Sequence, residues 1–278
     1  MRTTVTALAL ILVLVPSLAG QDLDFERHRN LQYVEGKDAH KTRHLLDLYV
    51  PKGVKKPPLV MFIHGGAWTM GSKIWYSNIG RWLAKNGYAC AQNNYRLSPK
   101  VQHPVHVDDC ARALAWLVKN AQKYGYDGTR IFLSGHSAGG HLSSLLALSP
   151  TYLKKHGVDS KHVRGVFPIS GVYDCRSGYG TFRQVFGRER KVRVEASPVT
   201  NIHDQSPPFL VIWGDRDMAG LPRDAKRFAA ALKKAKRPVA SHEIKNRTHL
   251  SIFSQIGGKG DKASELILAF LKQVIGTE

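Results

Sequence analysis

The side chains of this sequence that could do covalent chemistry stand far apart in it. A serine sits between glycines in Gly135-His136-Ser137-Ala138-Gly139, aspartates follow in Asp215-Arg216-Asp217, and a histidine closes Asn246-Arg247-Thr248-His249. A serine hydroxyl is a poor nucleophile at neutral pH. It attacks a carbonyl only when a base takes its proton and a carboxylate orients that base. Gly-x-Ser-x-Gly is the pattern of a sharp strand-to-helix elbow, in which small flanking residues avoid clashes and the serine oxygen is lifted above the sheet. The plain alternative is a tight turn with Ser137 as helix N-cap. An apolar strand before it and a helical pattern after it favour the nucleophile, because a helix N-terminus welcomes developing negative charge. The chain order serine, acid, histidine suits the same constellation. His249 is the predicted base, since it lies just past a strand pattern that contains His242. Asp217 is preferred to Asp215 on the Gly-x-x-Asp spacing from Gly214.

Attack on a carbonyl also needs backbone N–H groups aimed at the oxyanion. His64-Gly65-Gly66-Ala67-Trp68 follows an earlier apolar strand, and its small residues allow close approach. The predicted donors are Gly66, Ala67 and Ala138. His64 is expected to hold its loop rather than move protons, and the remaining histidines with Asp108-Asp109 are expected to be surface or structural groups. Trp68 and Tyr173 are expected to line the substrate pockets. There is no Cys-x-x-Cys pair, and no metal or organic cofactor is expected.

These residues need a scaffold that gathers them. Apolar runs at Leu45–Val50, Pro57–His64, Tyr88–Tyr95, Ile131–Gly135, Val163–Ser170, Pro208–Gly214 and Val239–Lys245 read as strands. Helical spacing is read at Ile74–Asn86, Val105–Tyr124, Ser137–Leu148, Asp224–Ala235 and Lys262–Val274. Such alternation implies a mainly parallel sheet covered on both faces, with the first strand a candidate for antiparallel pairing at one edge. In an open parallel sheet ligands bind beyond the carboxyl ends of the strands, where all the residues above should meet. Tyr173 to Gln205 shows no clear periodicity, and loops of that length are usually functional.

The chain has 278 residues, a formal charge of +20 and three cysteines. Residues 1–20 read as a signal peptide: Arg2, a short apolar core, and small residues around Ser17-Leu18-Ala19. Pro16 and the polar stretch after it favour cleavage near Gly20 or Gln21 over a membrane anchor. The expectation is export, periplasmic or secreted, of one domain over 21–278 with no later membrane span. Cys90 and Cys110 are read as buried thiols rather than a bridge. The positive charge is scattered and lacks interleaved aromatics, so no specific nucleic-acid partner is expected; a solvated basic surface is preferred to an acidic glycan partner.

Together "DLYVP", "HGGAW", "NYRLSP", "GHSAGGHL" and "SPPFLVIWGDRD" resemble the α/β-hydrolase fold. The resemblance is to its esterase and lipase branch, including hormone-sensitive-lipase-like carboxylesterases and bacterial feruloyl- or acetylxylan-esterase-like enzymes. It implies Ser137 as nucleophile, Asp217 and His249 as acid and base, and Gly66, Ala67 and Ala138 as oxyanion donors. The stretch before Leu45 is short, so a small cap or none is expected. The implied activity is hydrolysis of short-chain acyl esters through an acyl-enzyme, with acetyl or feruloyl groups on polysaccharide among the substrates. Ala67 departs from the common third glycine. His-Gly-Gly-x-Trp also resembles arylformamidases, which would use the same residues on an amide-like bond. A binding module that keeps the fold without the chemistry is the remaining alternative. Oligomeric state is not readable.

Overall fold

The computed structural model describes residues 23–177 and 180–276; the expected signal peptide lies outside these residues. Strands β1 (Phe25–Gln32), β2 (Leu45–Pro51), β3 (Pro58–Ile63), β4 (Ala89–Asn93), β5 (Asp127–His136), β6 (Val163–Ile169), β7 (Phe209–Arg216) and β8 (Val239–Thr248) share one sheet. Its order is β1-β2-β4-β3-β5-β6-β7-β8. β2 pairs antiparallel with β1 and β4, and the neighbours from β4 to β8 run parallel. The strand at Leu45 is antiparallel, as one expectation had it, but it is not the edge. β1 covers it, and its sequence, FERHRNLQ, has too few apolar residues to show a strand period.

The helices are α1 (Ser77–Lys85), α2 (Val105–Tyr124), α3 (Ala138–Leu148), α4 (Pro150–Lys155), α5 (Thr181–Phe186), α6 (Arg190–Glu195), α7 (Leu221–Lys234), α8 (Ser251–Ser254) and α9 (Lys262–Gly276). Strand alternation divides the core between the two faces of the sheet. Leu59, Met61 and Ile63 of β3 and Ile131 and Leu133 of β5 pack with Leu114, Leu117, Leu142, Leu145 and Phe228 of α2, α3 and α7. Val60, Phe62 and Phe132 point the other way, onto Ile79 and Leu83 of α1 and Ile267 and Leu271 of α9. Cys90 and Cys110 belong to opposite clusters and all three cysteines are free and buried, so the sheet itself keeps that pair apart.

α2 has the predicted bounds because its apolar stripe is complete and its stop is explicit. Gly125 turns left-handed at φ 78° and donates its N–H to Ala121 O at 2.9 Å. The interval from Tyr173 to Gln205 is less irregular than expected, since it holds α5 and α6. Each is six residues long, under two turns, so a 3.6-residue period has no room to declare itself. Asp108 and Asp109 are structural, and buried rather than at the surface. Asp109 accepts from Arg96 through both its side chain and its backbone N–H, while Lys155, His156 and Arg112 surround Asp108.

Candidate active site

Parallel strands bring the chemistry-bearing residues to one rim, because each lies just past the carboxyl end of its own strand: His64 after β3, Ser137 after β5, Ser170 after β6, Asp217 after β7 and His249 after β8. Between β5 and α3, Ser137 takes φ 56° and ψ −118°, a conformation that costs a non-glycine residue free energy and recurs at functional turns. Its N–H donates to Ile169 O at 2.9 Å, and its carbonyl accepts the first bond of α3, from His141 N at 3.1 Å. The turn is tight enough that a Cβ on Gly139 would lie 2.0 Å from Ile63 O. The Ser137 hydroxyl makes no hydrogen bond to any described residue and is therefore free to meet a base.

His249 stands beside the residue that precedes Ser137. Its ring centroid lies 4.5 Å from that of His136, the residue before Ser137, and its backbone carbonyl accepts a hydrogen bond from His136 Nε2 at 2.8 Å. His249 Nδ1 bonds Asp217 Oδ1 at 2.7 Å, which leaves Nε2 for a proton partner. Asp217 is completely covered and His249 nearly so, with side-chain exposures of 0% and 14%. Oδ1 of Asp217 also accepts from Met218 N at 2.8 Å, and Oδ2 accepts from the Ser170 hydroxyl and, at 3.4 Å, from Gly214 N. Burial alone would raise the carboxyl pKa. The bonds from His249 and Ser170 outweigh it and hold the group below its ordinary value, ionised. Asp215 is turned elsewhere and accepts from Arg247 N at 3.1 Å, pinning β7 to β8.

His136 occupies the free position of Gly-x-Ser-x-Gly and joins three loops. Since Nε2 donates to His249 O, Nδ1 is the acceptor, and it takes the Tyr76 hydroxyl at 2.9 Å; Tyr76 in turn accepts from Gly65 N at 3.1 Å. Burial, helped by the nearby His249, pushes the His136 pKa down to about 3, so the ring stays neutral and the two bonds keep their direction. One imidazole thus ties the base loop and the glycine-rich loop to the elbow.

In the glycine-rich loop Gly66, Ala67 and Trp68 all have positive φ, at 117°, 49° and 60°. That run folds the carbonyl of Gly66 back to accept from Thr69 N and Met70 N, each at 3.0 Å. The N–H groups of Gly66 and Ala67, and that of Ala138 in the first turn of α3, donate to nothing among the described residues. Three unpaired donors beside a free hydroxyl can bind a developing oxyanion. His64 holds the loop: its Nδ1 donates to Gly65 O at 2.7 Å, its ring stacks on Tyr95, and burial lowers its pKa to about 4.

Trp68 and Tyr173 are corrections to the expected pocket lining. Trp68 is 3% exposed and donates to His141 Nδ1, while Tyr173 is 0% exposed and stacks face to face on Phe228. Neither offers surface to a substrate, because each is the large side chain that seals an insertion against the core. Ser170, Tyr76 and His136 were not assigned a part at the site from sequence. Ser170 carried a weak signal, a polar residue at the carboxyl end of a buried strand; Tyr76 carried none, since its partner lies 60 residues away.

The BD-FAE family model matches residues 46–232, a span that contains Ser137 and Asp217. Over 242 residues the chain is 34% identical to the probable carboxylic ester hydrolase LipM of Mycobacterium tuberculosis, covering 80% of this chain and 55% of that protein. It is 32% identical over 253 residues to esterase LipC of the same organism, covering 83% and 62% respectively. The chain thus spans less than two thirds of the length of these relatives. Esterase B from Lactobacillus rhamnosis superposes with a TM-score of 0.78 over 92% of this chain and 87% of that one, at 22% identity. That likeness speaks for the fold.

Proposed function

The chain belongs to the BD-FAE family and has the α/β-hydrolase fold of esterases, and we propose that it is a serine carboxylic ester hydrolase working through Ser137, His249 and Asp217. The observation that carries this reading is the covered Asp217–His249 pair at 2.7 Å, its histidine anchored through His136 to the elbow of a free serine hydroxyl. His249 Nε2 takes the Ser137 proton as Oγ attacks the ester carbonyl. The oxyanion accepts from Gly66, Ala67 and Ala138. Collapse breaks the bond to the alcohol, which leaves with the proton from His249, and Ser137 carries the acyl group. Water then gives a proton to His249 and attacks the acyl carbon; the acid departs and the proton returns to Ser137 Oγ. Asp217 keeps the imidazole in the tautomer that accepts at Nε2 and stabilises its charged form.

Short acyl esters are the proposed substrates, acetyl or feruloyl esters of polysaccharide among them, and residues 1–20 are proposed to export the protein. N-terminal sequencing of the mature protein tests export: a start at Met1 would remove it. Ser137→Ala should keep the fold and abolish both p-nitrophenyl acetate turnover and labelling by a fluorophosphonate. Labelling that persists in the variant would move the nucleophile elsewhere. Turnover of N-formylkynurenine far above any acetyl ester would replace the ester reading with the amide one.

A further inference from the structure

Beside the site runs a cleft of about 600 Å³ whose lining includes Val172, Phe182, Ala219 and Leu221. Its walls fix its position. Val172 is two residues past Ser170, and Ala219 two residues past Asp217, so one wall is the loop that holds the catalytic acid. On the other side Phe182 of α5 packs on Trp68, at 6.1 Å between rings, directly after the oxyanion residue Ala67. The cleft therefore borders the acid loop, and Phe182 in its lining touches the residue after Ala67, which puts it beside the catalytic rim.

Four guanidinium groups line it, those of Arg176, Arg190, Arg223 and Arg227, against two carboxylates, Asp174 and Asp224. One pair is closed: Arg176 Nε and Nη2 grip Asp174 at 2.8 and 2.6 Å. Asp224 is spent on the backbone, accepting from Tyr173 N at 2.7 Å, and burial raises its pKa to about 6, which thins its negative charge near neutrality. Arg190, Arg223 and Arg227 are exposed and have no hydrogen bond or close ion pair among the described residues, although Arg227 is near enough to Asp174 and Asp224 to favour their ionised forms. Arg223 and Arg227 stand four apart on one face of α7, whose N-terminal residues Gly220 and Leu221 also line the cleft and turn the positive end of the helix towards it. A surplus of unpaired guanidinium in a concave site is what bidentate recognition of an oxyacid anion requires.

We propose that this cleft is a substrate subsite for an anionic group, a carboxylate or a sulfate, carried by the ester beside its scissile bond. The inference deepens the ester-hydrolase reading and rests on it. It separates this site from a plain apolar acyl pocket and makes acylated acidic compounds the preferred substrate class.

The test compares acetates that differ in one charge. 4-Acetoxybenzoate and 4-acetoxybenzenesulfonate carry the anion on the leaving group, and 4-acetoxybenzamide is the neutral match. We expect kcat/KM for at least one anion to exceed that of the amide by about tenfold, as one charge-assisted bidentate contact allows. Which anion gains distinguishes carboxylate from sulfate recognition. Replacing Arg223 and Arg227 together by Gln should bring the ratio close to one, through a fall in the rate on the anion. Lys233→Gln, which removes a charge about 9 Å beyond Arg227 and about 15 Å beyond Arg223 along the same helix, should leave the ratio intact. A ratio near one in the unaltered protein overturns the inference, as does a ratio that survives the double variant or falls equally with Lys233→Gln. If neither these acetates nor methyl ferulate turns over, the ester reading fails. Equilibrium dialysis of benzoate against benzamide then still reads the cleft: preferential benzoate binding lost in the double variant supports it, and equal binding refutes it.

Discussion

Gly139→Ala tests whether the elbow and the glycine-rich loop act as one device. The new methyl would lie 2.0 Å from Ile63 O, 2.6 Å from Ile63 C and 2.7 Å from His64 O. All three atoms are backbone at the end of β3, so no side chain can swing aside. To open from 2.0 Å to the 3.4 Å at which ordinary contact begins, the elbow and β3 must part by about 1.4 Å. Those are the two segments that carry the proposed oxyanion donors, Ala138 on one and Gly66 with Ala67 on the other. A misplacement of about 1 Å can cost about 10²-fold, and losing one oxyanion donor costs about 10²–10³-fold. We therefore expect kcat/KM for p-nitrophenyl acetate to fall at least 10²-fold, mainly through kcat. Overpacking should cost about 1–3 kcal/mol, a Tm lower by roughly 3–10 °C. Steady-state kinetics and a circular-dichroism melt on the same preparation read both. Wild-type kcat/KM at an unchanged Tm would refute the close approach of the two segments and, with it, the joint oxyanion site.

Two further outcomes follow from the burial of charge and its partners. Asp217→Asn keeps the shape but cannot hold His249 in the accepting tautomer or stabilise its cation, so kcat should drop about 10³–10⁴-fold; stopped assays with p-nitrophenyl acetate check it, and a loss under tenfold would assign the orienting role elsewhere. Stability should collapse in mild acid. Burial holds His64 and His106 at about 4 and His136 and His141 at about 3, whereas in the unfolded chain each titrates near 6.5. As pH falls below 6.5 the unfolded chain binds protons that the folded chain refuses, so stability present above that value is lost on the way down. Near pH 5.5 the four histidines give a slope of about 5 kcal/mol per pH unit, against a total stability of about 5–15 kcal/mol. Urea midpoints at pH 7, 6 and 5 check this, and a midpoint constant over that range would show that these rings are protonated inside the fold.

The sequence by itself determined the features written in local backbone demands. A glycine-flanked serine between an apolar strand and a helix has few other conformations, and the apolar runs of β3 to β8 announced a mainly parallel sheet whose carboxyl ends must share a rim. The α2 stripe and its glycine stop were local too. Only the tertiary structure decided which neighbours touch. Only the spacing from Gly214 separated Asp217 from Asp215 in the sequence, and it took β8 beside β7 to turn one to His249 and the other to the Arg247 amide. Trp68 and Tyr173 were legible as aromatics near the site, but their burial depends on His141 and Phe228, which only the folded chain brings against them. The Tyr76–His136 link and the three unpaired arginines of the cleft leave no trace in spacing or period. A hydrogen bond or an ion pair acts over a few ångströms, so chain segments tens of residues apart become neighbours only once the sheet has ordered them.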